Sequence, residues 1–384
     1  MNLTTWIEVD LDALAHNFYQ LRAHTEAQVC PVVKGDAYGH GAPVVVRHLA
    51  AGGARLFAVA DLDEALAVRS LSQAPLLLLA PPLPQQAAQV VRHRFIPTVT
   101  SWEGAQALAA SAAAHRVKLP VHLKVDTGMG RLGVLPHQAV GLAKRIAQEG
   151  HLELAGVYTH FADGSDRRNT ERQLRELLQV REALRREGVT AVLWHAAASR
   201  AFCLSRNTHL DMVRIGTLLY GQGGSSCGLP LKDTWKLYTT VIAVKSVTAG
   251  HSIGYGGDYR APRPMVIGII PVGYAHGFQV EPETVPCLQL KRSLRTALQG
   301  RVPSAFLGEL PLPVVGRVGM TLTCLDLSSV EHPKPGMVVR LEARRTTVSP
   351  HVPKAYIKDG RISAIWRDGR LVVPEFDRPR RSPL

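Results

Sequence analysis

Apolar residues in roughly the first 230 positions follow two alternating patterns. Short runs rich in apolar residues, such as residues 30–33, alternate with stretches of helical periodicity, such as residues 10–22. Repeated strand–helix units indicate parallel strands, and about eight of them favour an α/β fold of the (β/α)8 TIM-type barrel class. Counting alone does not exclude an open doubly wound sheet. The other predicted strands in this region are residues 6–9, 57–60, 76–79, 98–100, 121–125, 154–158, 192–194 and 212–213.

Two predicted helix starts carry a capping signature. Asp61 precedes Glu64, and Thr100 precedes Glu103, at the spacing of a capping box. A further amphipathic stretch, residues 171–186, is closed by Gly188. These signals predict that a helix directly follows each of these strand ends.

The pattern changes after about residue 231. Runs rich in Val, Thr and Ile, separated by Gly and Pro, are typical of strands. They cover residues 237–247, 265–272, 313–327 and 338–341, with a turn at 258–264 and a loop-rich excursion at 281–313. The sequence therefore predicts a barrel over residues 1–232, a mainly β C-terminal domain over 233–377 and a basic tail over 378–384.

Composition and charge narrow the class of protein. A length of 384 residues suits two domains, and 46% apolar residues are typical of a globular protein with a sizeable core. The net charge of +14 would suit nucleic-acid binding. However, Arg is mixed with Glu in residues 167–186, and the short basic runs at 291–292 and 378–381 lack interleaved aromatic residues. We therefore expect no nucleic-acid partner, and a positive field that attracts anionic small molecules.

Cysteine usage and the N-terminus favour a cytoplasmic protein. The five cysteines are scattered and contain no CxxC pair, which argues against a disulfide framework and against a zinc site. This pattern suits a reducing compartment. The N-terminus carries acids where a signal peptide would be basic and then apolar, and the longest apolar run, residues 75–80, is too short to span a bilayer. We expect no membrane attachment.

Lys34 is the most informative polar residue, because it follows a buried strand and precedes a Gly-rich turn. At the carboxyl end of a barrel strand it would point to the place where barrel active sites lie. A lysine there can condense with an aldehyde cofactor, and burial favours the neutral amine that acts as a base. The alternative is a strand-end lysine whose charge reaches solvent.

A second polar segment, residues 121–133, also follows a strand. It carries Lys124, Asp126, Arg131 and three glycines, whose backbone N–H groups can approach an anion closely. Arg131 can hold a carboxylate or an oxygen of a cofactor. The alternative is a polar turn in which Asp126 pairs with Lys124 or Arg131.

Further candidates follow later strands. His160 lies at a strand end, although a lone histidine is more often structural. Ser199 near a helix start, and Gly216 with Thr217 after a strand, can bind a phosphate. In the β domain Tyr255 lies next to glycines, which suits either an exposed active-site phenol or an ordinary turn.

Together, these segments resemble the alanine racemase family, in order and over nearly the whole chain. The match is most specific at residues 34–41 and 124–133, and residues 213–216, 254–256 and 315–320 support it. The resemblance implies a barrel followed by a β domain, pyridoxal phosphate as the cofactor and a small amino acid as the substrate. It also implies a head-to-tail homodimer that supplies D-alanine for peptidoglycan precursors.

The resemblance also implies a role for each site residue. Lys34 would hold the cofactor covalently, with His160 against its ring and Arg214 donating to its pyridine nitrogen. Arg131 would hold the cofactor's phenolic oxygen and the substrate, and Lys124 is a candidate for a carbamate that orients it. Met320 of the partner subunit would contact the substrate carboxylate through its backbone. The positions that match phosphate ligands are Tyr38, Ser199, Gly216, Thr217 and Tyr356.

Racemisation explains why two bases are needed. The α-proton leaves one face of a planar intermediate and returns to the other, and one base cannot readily reach both faces. The resemblance implies Lys34 on one side and Tyr255 of the partner subunit on the other, with cations such as Arg131 easing proton loss from the phenol. Because Arg214 cannot give up a proton to the pyridine nitrogen, the cofactor ring would withdraw electrons from the substrate less strongly. This weaker withdrawal disfavours transamination.

Four positions depart from the family pattern. Ala198, His276, Val280 and Thr321 stand where Asn, Asp, a basic residue and Asp are usual. The alternatives are therefore a racemase of serine or lysine on the same fold, or a catalytically impaired homologue. A decarboxylase of this architecture is less favoured. Such enzymes share a carboxylate at the pyridine nitrogen, and Arg214 stands at that position here. A non-catalytic cofactor carrier is less favoured too, because such relatives lack a β domain.

Overall fold

The structure, a computed structural model, describes residues 3–190, 192–281 and 304–373. The predicted tail at 378–384, the basic pair at 291–292 and most of the predicted excursion at 281–313 lie outside these ranges. The chain divides into two compact units, Leu11–Asp233 and a second formed by Met1–Asp10 with Thr234–Leu384.

The first strand belongs to the second unit, although the sequence analysis assigned it to the barrel. Strand β1 (Thr5–Asp10) pairs antiparallel with β10 (Trp235–Thr240) and parallel with β20 (Lys354–Lys358). The apolar residues that β1 buries were visible in the sequence, but its partner strands are more than 200 residues away. A local pattern reports that a strand has a buried face and does not report which sheet covers it.

The unit Leu11–Asp233 is a parallel barrel. Its eight strands in the described part of the chain have the order β2-β9-β8-β7-β6-β5-β4-β3, and a bridge between Val32 and Ala58 joins the two ends. This confirms the predicted (β/α)8 class. The strands are β2 (Gln28–Pro31), β3 (Phe57–Val59), β4 (Leu76–Leu78), β5 (Ile96–Val99), β6 (Leu119–Lys124), β7 (Leu152–Tyr158), β8 (Leu193–Ala198) and β9 (Met212–Ile215).

The barrel strands are short apolar runs because they are buried on both faces. Every residue of β3 and β4 is buried, and Cys30, Ala58 and Met212 form part of one core cluster inside the barrel. Parallel strands covered by helices lose the inside–outside alternation of half-exposed sheets. The continuous apolar runs in the sequence therefore predicted these strands to within a few residues.

Helices connect the barrel strands. Asp61 caps its helix as predicted, since its side chain accepts a hydrogen bond from the Glu64 N–H. The second predicted cap was wrong by one residue, because Ser101 and not Thr100 accepts from the Gly104 N–H. The helices are Leu11–Ala23, Ala42–Ala51, Leu62–Arg69, Ala87–Arg92, Trp102–Ala114, Pro136–Gln148, Arg167–Arg186 and Ser199–Leu204.

The second unit consists mainly of strands, as predicted. Its larger sheet in the described residues has the order β16-β15-β19-β10-β1-β20-β21-β22, a second sheet has the order β11-β14-β18-β17, and β12 pairs with β13. The strands are β11 (Ala243–Val247), β12 (Ser252–Ile253), β13 (Tyr259–Arg260), β14 (Met265–Ile270), β15 (Ala305–Leu307), β16 (Leu310–Pro311), β17 (Val314–Val315), β18 (Thr323–Asp326), β19 (Val338–Leu341), β21 (Arg361–Arg367) and β22 (Arg370–Val372).

Two predicted strands of this unit are each divided in the structure. The run 237–247 contains β10 and β11, which lie in different sheets, and the run 313–327 contains β17 and β18. Apolar composition continues through these breaks, so periodicity alone did not reveal them. No helix in the described part of the chain combines the length and the apolar character needed to cross a bilayer.

A disulfide joins Cys203 to Cys227, contrary to the expectation from the cysteine pattern. The two Cα atoms lie 4.7 Å apart although the residues are 24 positions apart in sequence. The barrel brings the helix Ser199–Leu204 against the short 3₁₀ turn Gly224–Cys227, a proximity that cysteine spacing alone does not show.

Candidate active site

A cavity of about 580 Å³ lies where the barrel strands end at their carboxyl termini. The predicted site residues of the barrel all line it: Lys34, Tyr38, Lys124, Arg131, His160, Ser199, Arg214, Gly216 and Thr217. Ala198, one of the departures from the family pattern, lines it as well. Tyr255, Met320 and Tyr356 lie in the other unit.

The segment after Lys34 forms a left-handed turn, which the sequence analysis did not predict. Gly35 has φ +62°, and the next three residues, Asp36, Ala37 and Tyr38, have φ of 53°, 55° and 55°. A left-handed conformation costs a non-glycine residue about 1–2 kcal/mol, so surrounding contacts must hold the turn. One of them is the Asp36 carboxylate, which accepts a hydrogen bond from the Ala42 N–H at 2.8 Å.

Tyr38, at the end of this turn, packs closely against Gly216. A Cβ atom on Gly216 would lie 2.3 Å from the Tyr38 Oη, so only glycine leaves room for the phenol. The Tyr38 ring also lies 5.0 Å from the Tyr220 ring. Burial, with the nearby Glu64 charge, raises the pKa of Tyr38, so its hydroxyl remains a hydrogen-bond donor.

The two cavity lysines lie in surroundings that favour the neutral amine. Burial and then the Arg131 charge lower the pKa of Lys34, and Glu64 opposes them in part. Burial, Arg214 and Arg131 lower the pKa of Lys124 to about 8. A lysine with a lowered pKa is a nucleophile and a base near neutrality.

The glycine-rich turn after Lys124 binds its own carboxylate. Asp126 accepts hydrogen bonds from the backbone N–H groups of residues 128, 129, 130 and 131, at 2.8–3.1 Å. Burial raises the pKa of Asp126, but these donors outweigh it and lower the pKa overall. The backbone N–H groups that were predicted to bind an anion therefore bind the Asp126 carboxylate of the same turn. These contacts replace the ion pair of Asp126 with Lys124 or Arg131 that was the alternative. The turn fixes the backbone of Arg131.

Arg214 lies at the bottom of the cavity in a buried hydrogen-bonded chain. Its Nη1 donates to the His195 Nδ1 at 2.6 Å, and its Nη2 donates to the Thr159 and Ala196 carbonyls at 2.7 and 2.8 Å. Because arginine only donates, His195 must accept through Nδ1 and carry its proton on Nε2. That proton is donated to the His122 Nδ1 at 2.9 Å.

The sequence analysis missed both histidines of this chain. Burial and the Arg214 charge lower the pKa of His122 to about 3 and that of His195 well below its usual value, so both stay neutral. A signal was present in the sequence, since each histidine lies between apolar residues in the middle of a barrel strand.

Tyr158 is a second site residue that the sequence analysis did not identify. Its ring lies 4.5 Å from the His195 ring in a stacked arrangement. The Lys124 Nζ and the Arg214 guanidinium carbon lie 5.4 and 4.9 Å from its ring centre, within the range of cation–π attraction. Its hydroxyl bonds with the Thr98 hydroxyl at 2.7 Å, so Tyr158 is fixed and holds two cations beside its ring.

In the second unit, Tyr255 and Met320 lie close together at the surface. Their exposed fractions are 74% and 58%, and a Cβ atom on Gly319 would lie 3.4 Å from the Tyr255 ring. Tyr356 is buried in β20. His276, which stands in place of the usual Asp, accepts the Gly273 N–H through Nδ1 at 3.2 Å, a bond that a carboxylate could also accept.

Comparison with known proteins agrees with this arrangement. Residues 9–223 match the family described as alanine racemase, N-terminal domain, and residues 234–355 match alanine racemase, C-terminal domain. An alanine racemase of Desulfovibrio desulfuricans is 34% identical over 333 residues, covering 85% of each chain. One from Chlorobaculum tepidum is 37% identical over 338 residues, covering 85% of this chain and 84% of that protein.

Solved structures resemble the chain over nearly its whole length. Alanine racemase of Clostridium difficile has a TM-score of 0.85 and 25% identity, covering 96% of this chain and 99% of that one. The Bacillus anthracis enzyme, solved with bound L-Ala-P, has a TM-score of 0.81 and 26% identity, covering 96% and 98%. The two matched families together span most of the sequence, and the chain belongs to the alanine racemase family.

Proposed function

We propose that this protein is a pyridoxal-phosphate-dependent racemase that interconverts L- and D-alanine. The observation that carries the proposal is the position of the Lys34 amine, in one cavity with the hydroxyls of Ser199 and Thr217 and the guanidinium of Arg214. The relatives named alanine racemase support the choice of substrate.

The residues of the cavity fit pyridoxal phosphate. Lys34 provides an amine for the aldehyde, and Tyr38, Ser199 and Thr217 provide hydroxyl donors for the phosphate. The absence of a side chain at Gly216 leaves room for the Tyr38 phenol at that end. When bound, the group supplies an electron-withdrawing ring that acidifies the α-proton of the amino acid.

Two groups of the protein would move the proton. The Lys34 amine, whose pKa is lowered by burial and by Arg131, would take or return the α-proton on one face. Tyr255 of the partner subunit acts on the other face in the head-to-tail homodimer that we propose. The exposure of Tyr255 and Met320, side by side, supports their use by a second copy of the chain.

The remaining cavity residues orient the reactants. Arg214 is held by two carbonyls and by the neutral His195, so its guanidinium would offer the cofactor a fixed and permanent positive charge. Arg131 would hold the substrate side. Because the pKa of Lys124 is lowered to about 8, its neutral amine can add to carbon dioxide, releasing a proton and leaving a carbamate that pairs with Arg131.

Incubation with L-alanine in deuterated water tests the proposal. Proton NMR should show loss of the α-proton signal while optical rotation falls to zero, and Lys34→Ala should abolish both. Tyr255→Phe should also abolish racemisation, whereas Tyr259→Phe, a neighbouring phenol, should retain it. Absence of exchange in the wild type, or decarboxylation in its place, would refute the proposal. L-serine and L-lysine, run in parallel, test the alternative substrates.

We also propose a cytoplasmic enzyme that supplies D-alanine for peptidoglycan precursors. Expression in a bacterium that requires added D-alanine should restore growth without it. A Lys34→Ala copy, produced at the same level, should not. Cell fractionation of the tagged wild type should recover the protein with the cytoplasmic markers, and recovery with the membrane or periplasm would contradict that location.

A further inference from the structure

Glu64 joins the segment that carries Lys34 to the neighbouring barrel strand. One oxygen of its carboxylate accepts a hydrogen bond from the Gly35 N–H at 2.6 Å, across 29 positions of sequence. The other oxygen accepts from the Ala60 N–H at 2.8 Å, directly after β3. A single carboxylate therefore connects the carboxyl ends of β2 and β3 at the cavity.

The connection acts on a strained part of the backbone. Gly35 is the first of five consecutive residues with positive φ, and three of these are not glycine. Such a turn persists only where contacts over-determine it. Hydrogen bonds to an ionised acceptor are roughly twice as strong as neutral ones, so Glu64 is well suited to hold the start of the turn.

Glu64 itself is rigidly placed. It lies in the first turn of the helix Leu62–Arg69, where its own N–H donates to the Asp61 cap at 3.1 Å. Leu62 and Ala65 on the same helix are fully or almost fully buried against the barrel. The helix therefore fixes the position of the Glu64 carboxylate. The hydrogen bond to this carboxylate in turn fixes the position of the Gly35 N–H.

We propose that Glu64 is a positioning residue for Lys34, holding the left-handed turn to the end of β3 and thereby fixing the direction of the Lys34 side chain. The inference rests on the proposed function, in which Lys34 is the cofactor lysine and a base. Glu64 differs from the residues that line the cavity, because it acts on Lys34 through the backbone of the turn.

The charge of Glu64 also acts on Lys34. Around the Lys34 amine, Arg131 and Lys124 contribute positive charge from the β6 side, and His160 follows β7. Burial and Arg131 lower the pKa of Lys34, whereas Glu64 raises it. Removing the Glu64 charge should lower that pKa further, a change that a purely structural tether would not produce.

Two measurements on the full chain test the proposal. Hydrogen–deuterium exchange of the holoenzyme, followed by mass spectrometry, reports the peptide covering residues 33–41. After removal of the cofactor with hydroxylamine, acetylation of Lys34 across a series of pH values reports the protonation midpoint of its amine. Glu64→Gln removes the charge and one acceptor, and Glu64→Asp keeps the charge but shortens the reach. Asp63→Asn is the matched control, because Asp63 is an exposed carboxylate in the same helical turn.

In Glu64→Gln, exchange in residues 33–41 should be roughly tenfold faster or more, and the acetylation midpoint should move to lower pH. Glu64→Asp should accelerate exchange but keep the acetylation midpoint near that of the wild type. This variant also tests the proposal if Glu64→Gln does not fold. Asp63→Asn should change neither. Unchanged exchange, an unchanged midpoint in Glu64→Gln, or the same effects in Asp63→Asn would each overturn the proposal. None of these readouts depends on racemisation, so they separate this inference from the proposed function.

Discussion

His122 provides a direct test of the buried histidine chain. Its Nδ1 accepts the proton of the His195 Nε2 at 2.9 Å, deep in the barrel. Asparagine at this position places an amide oxygen close to where Nδ1 lies and so keeps an acceptor for His195. His122→Asn therefore removes one titratable ring and conserves the direction of the chain.

The expected effect depends on pH. Burial and the Arg214 charge lower the pKa of His122 from 6.5 to about 3 in the folded protein. Between these values the unfolded chain binds a proton that the folded chain does not. The contribution of the neutral ring to stability is therefore complete above pH 6.5 and is lost as the pH falls towards 3. One proton corresponds to about 1.4 kcal/mol per pH unit, or about 2 kcal/mol at pH 5.

Urea unfolding of wild type and His122→Asn at several pH values from 7.5 to 5 measures this effect. The free-energy difference between the two proteins should shrink by about 2 kcal/mol over that range, because only the wild type pays the proton uptake of this ring. Protein concentration is held constant, since a dimer would make stability depend on it. His137→Asn, on the surface, controls for loss of a histidine as such. A difference that stays constant down to pH 5 would refute a neutral, buried His122.

Three further changes test other parts of the structure. Cys203→Ser should lower the free energy of unfolding by about 3.5 kcal/mol, the chain-entropy value for a disulfide that closes a loop of 24 residues, and a reductant should lower that of the wild type equally. Gly133 has φ +124°, and a Cβ atom there would lie 2.7 Å from the Asp126 backbone nitrogen, so Gly133→Ala should disrupt the Asp126 turn and raise the KM for alanine. Gly141 lies in a helix with open space around it, so Gly141→Ala should raise the free energy of unfolding by up to about 1 kcal/mol. Tyr158→Phe leaves the Thr98 hydroxyl without its 2.7 Å partner and should cost about 1–3 kcal/mol in urea unfolding, and Thr98→Val in the same background should recover part of it.

The barrel could be predicted from the sequence because its information is local. Each strand is a short buried run followed by a helical pattern, and the order of strands follows the order of the chain from β3 to β9. The polar residues after each strand must then meet at one end of the barrel. This is why Lys34, Arg131, His160 and Arg214, far apart in sequence, line one cavity.

The remaining features depend on contacts that have no local signature. The left-handed turn after Lys34 contains three residues with no special preference for positive φ together, and it is held by Glu64 from another segment. The disulfide depends on the approach of a helix and a 3₁₀ turn that are distant in sequence. His122 and His195 looked like polar interruptions of apolar strands, and their function is visible only when Arg214 lies beside them.

The distribution of acids explains how the cavity keeps its amines reactive. Lys34, Lys124, Arg131 and Arg214 all line the cavity, and a carboxylate paired with either lysine would raise its pKa. The acids whose charges act on these lysines, Glu64 on Lys34 and Asp126 on Lys124, bind backbone instead. Asp126 accepts four N–H groups of its own turn, and Glu64 accepts those of Gly35 and Ala60. These bonds hold both carboxylates at the backbone that they shape, and the opposing effect of each on the pKa of its lysine is only partial. Burial and then the charge of the neighbouring cations lower the pKa of both lysines. The same positive charge attracts a phosphate and a carboxylate, the two anionic groups that the proposed reaction must bring together.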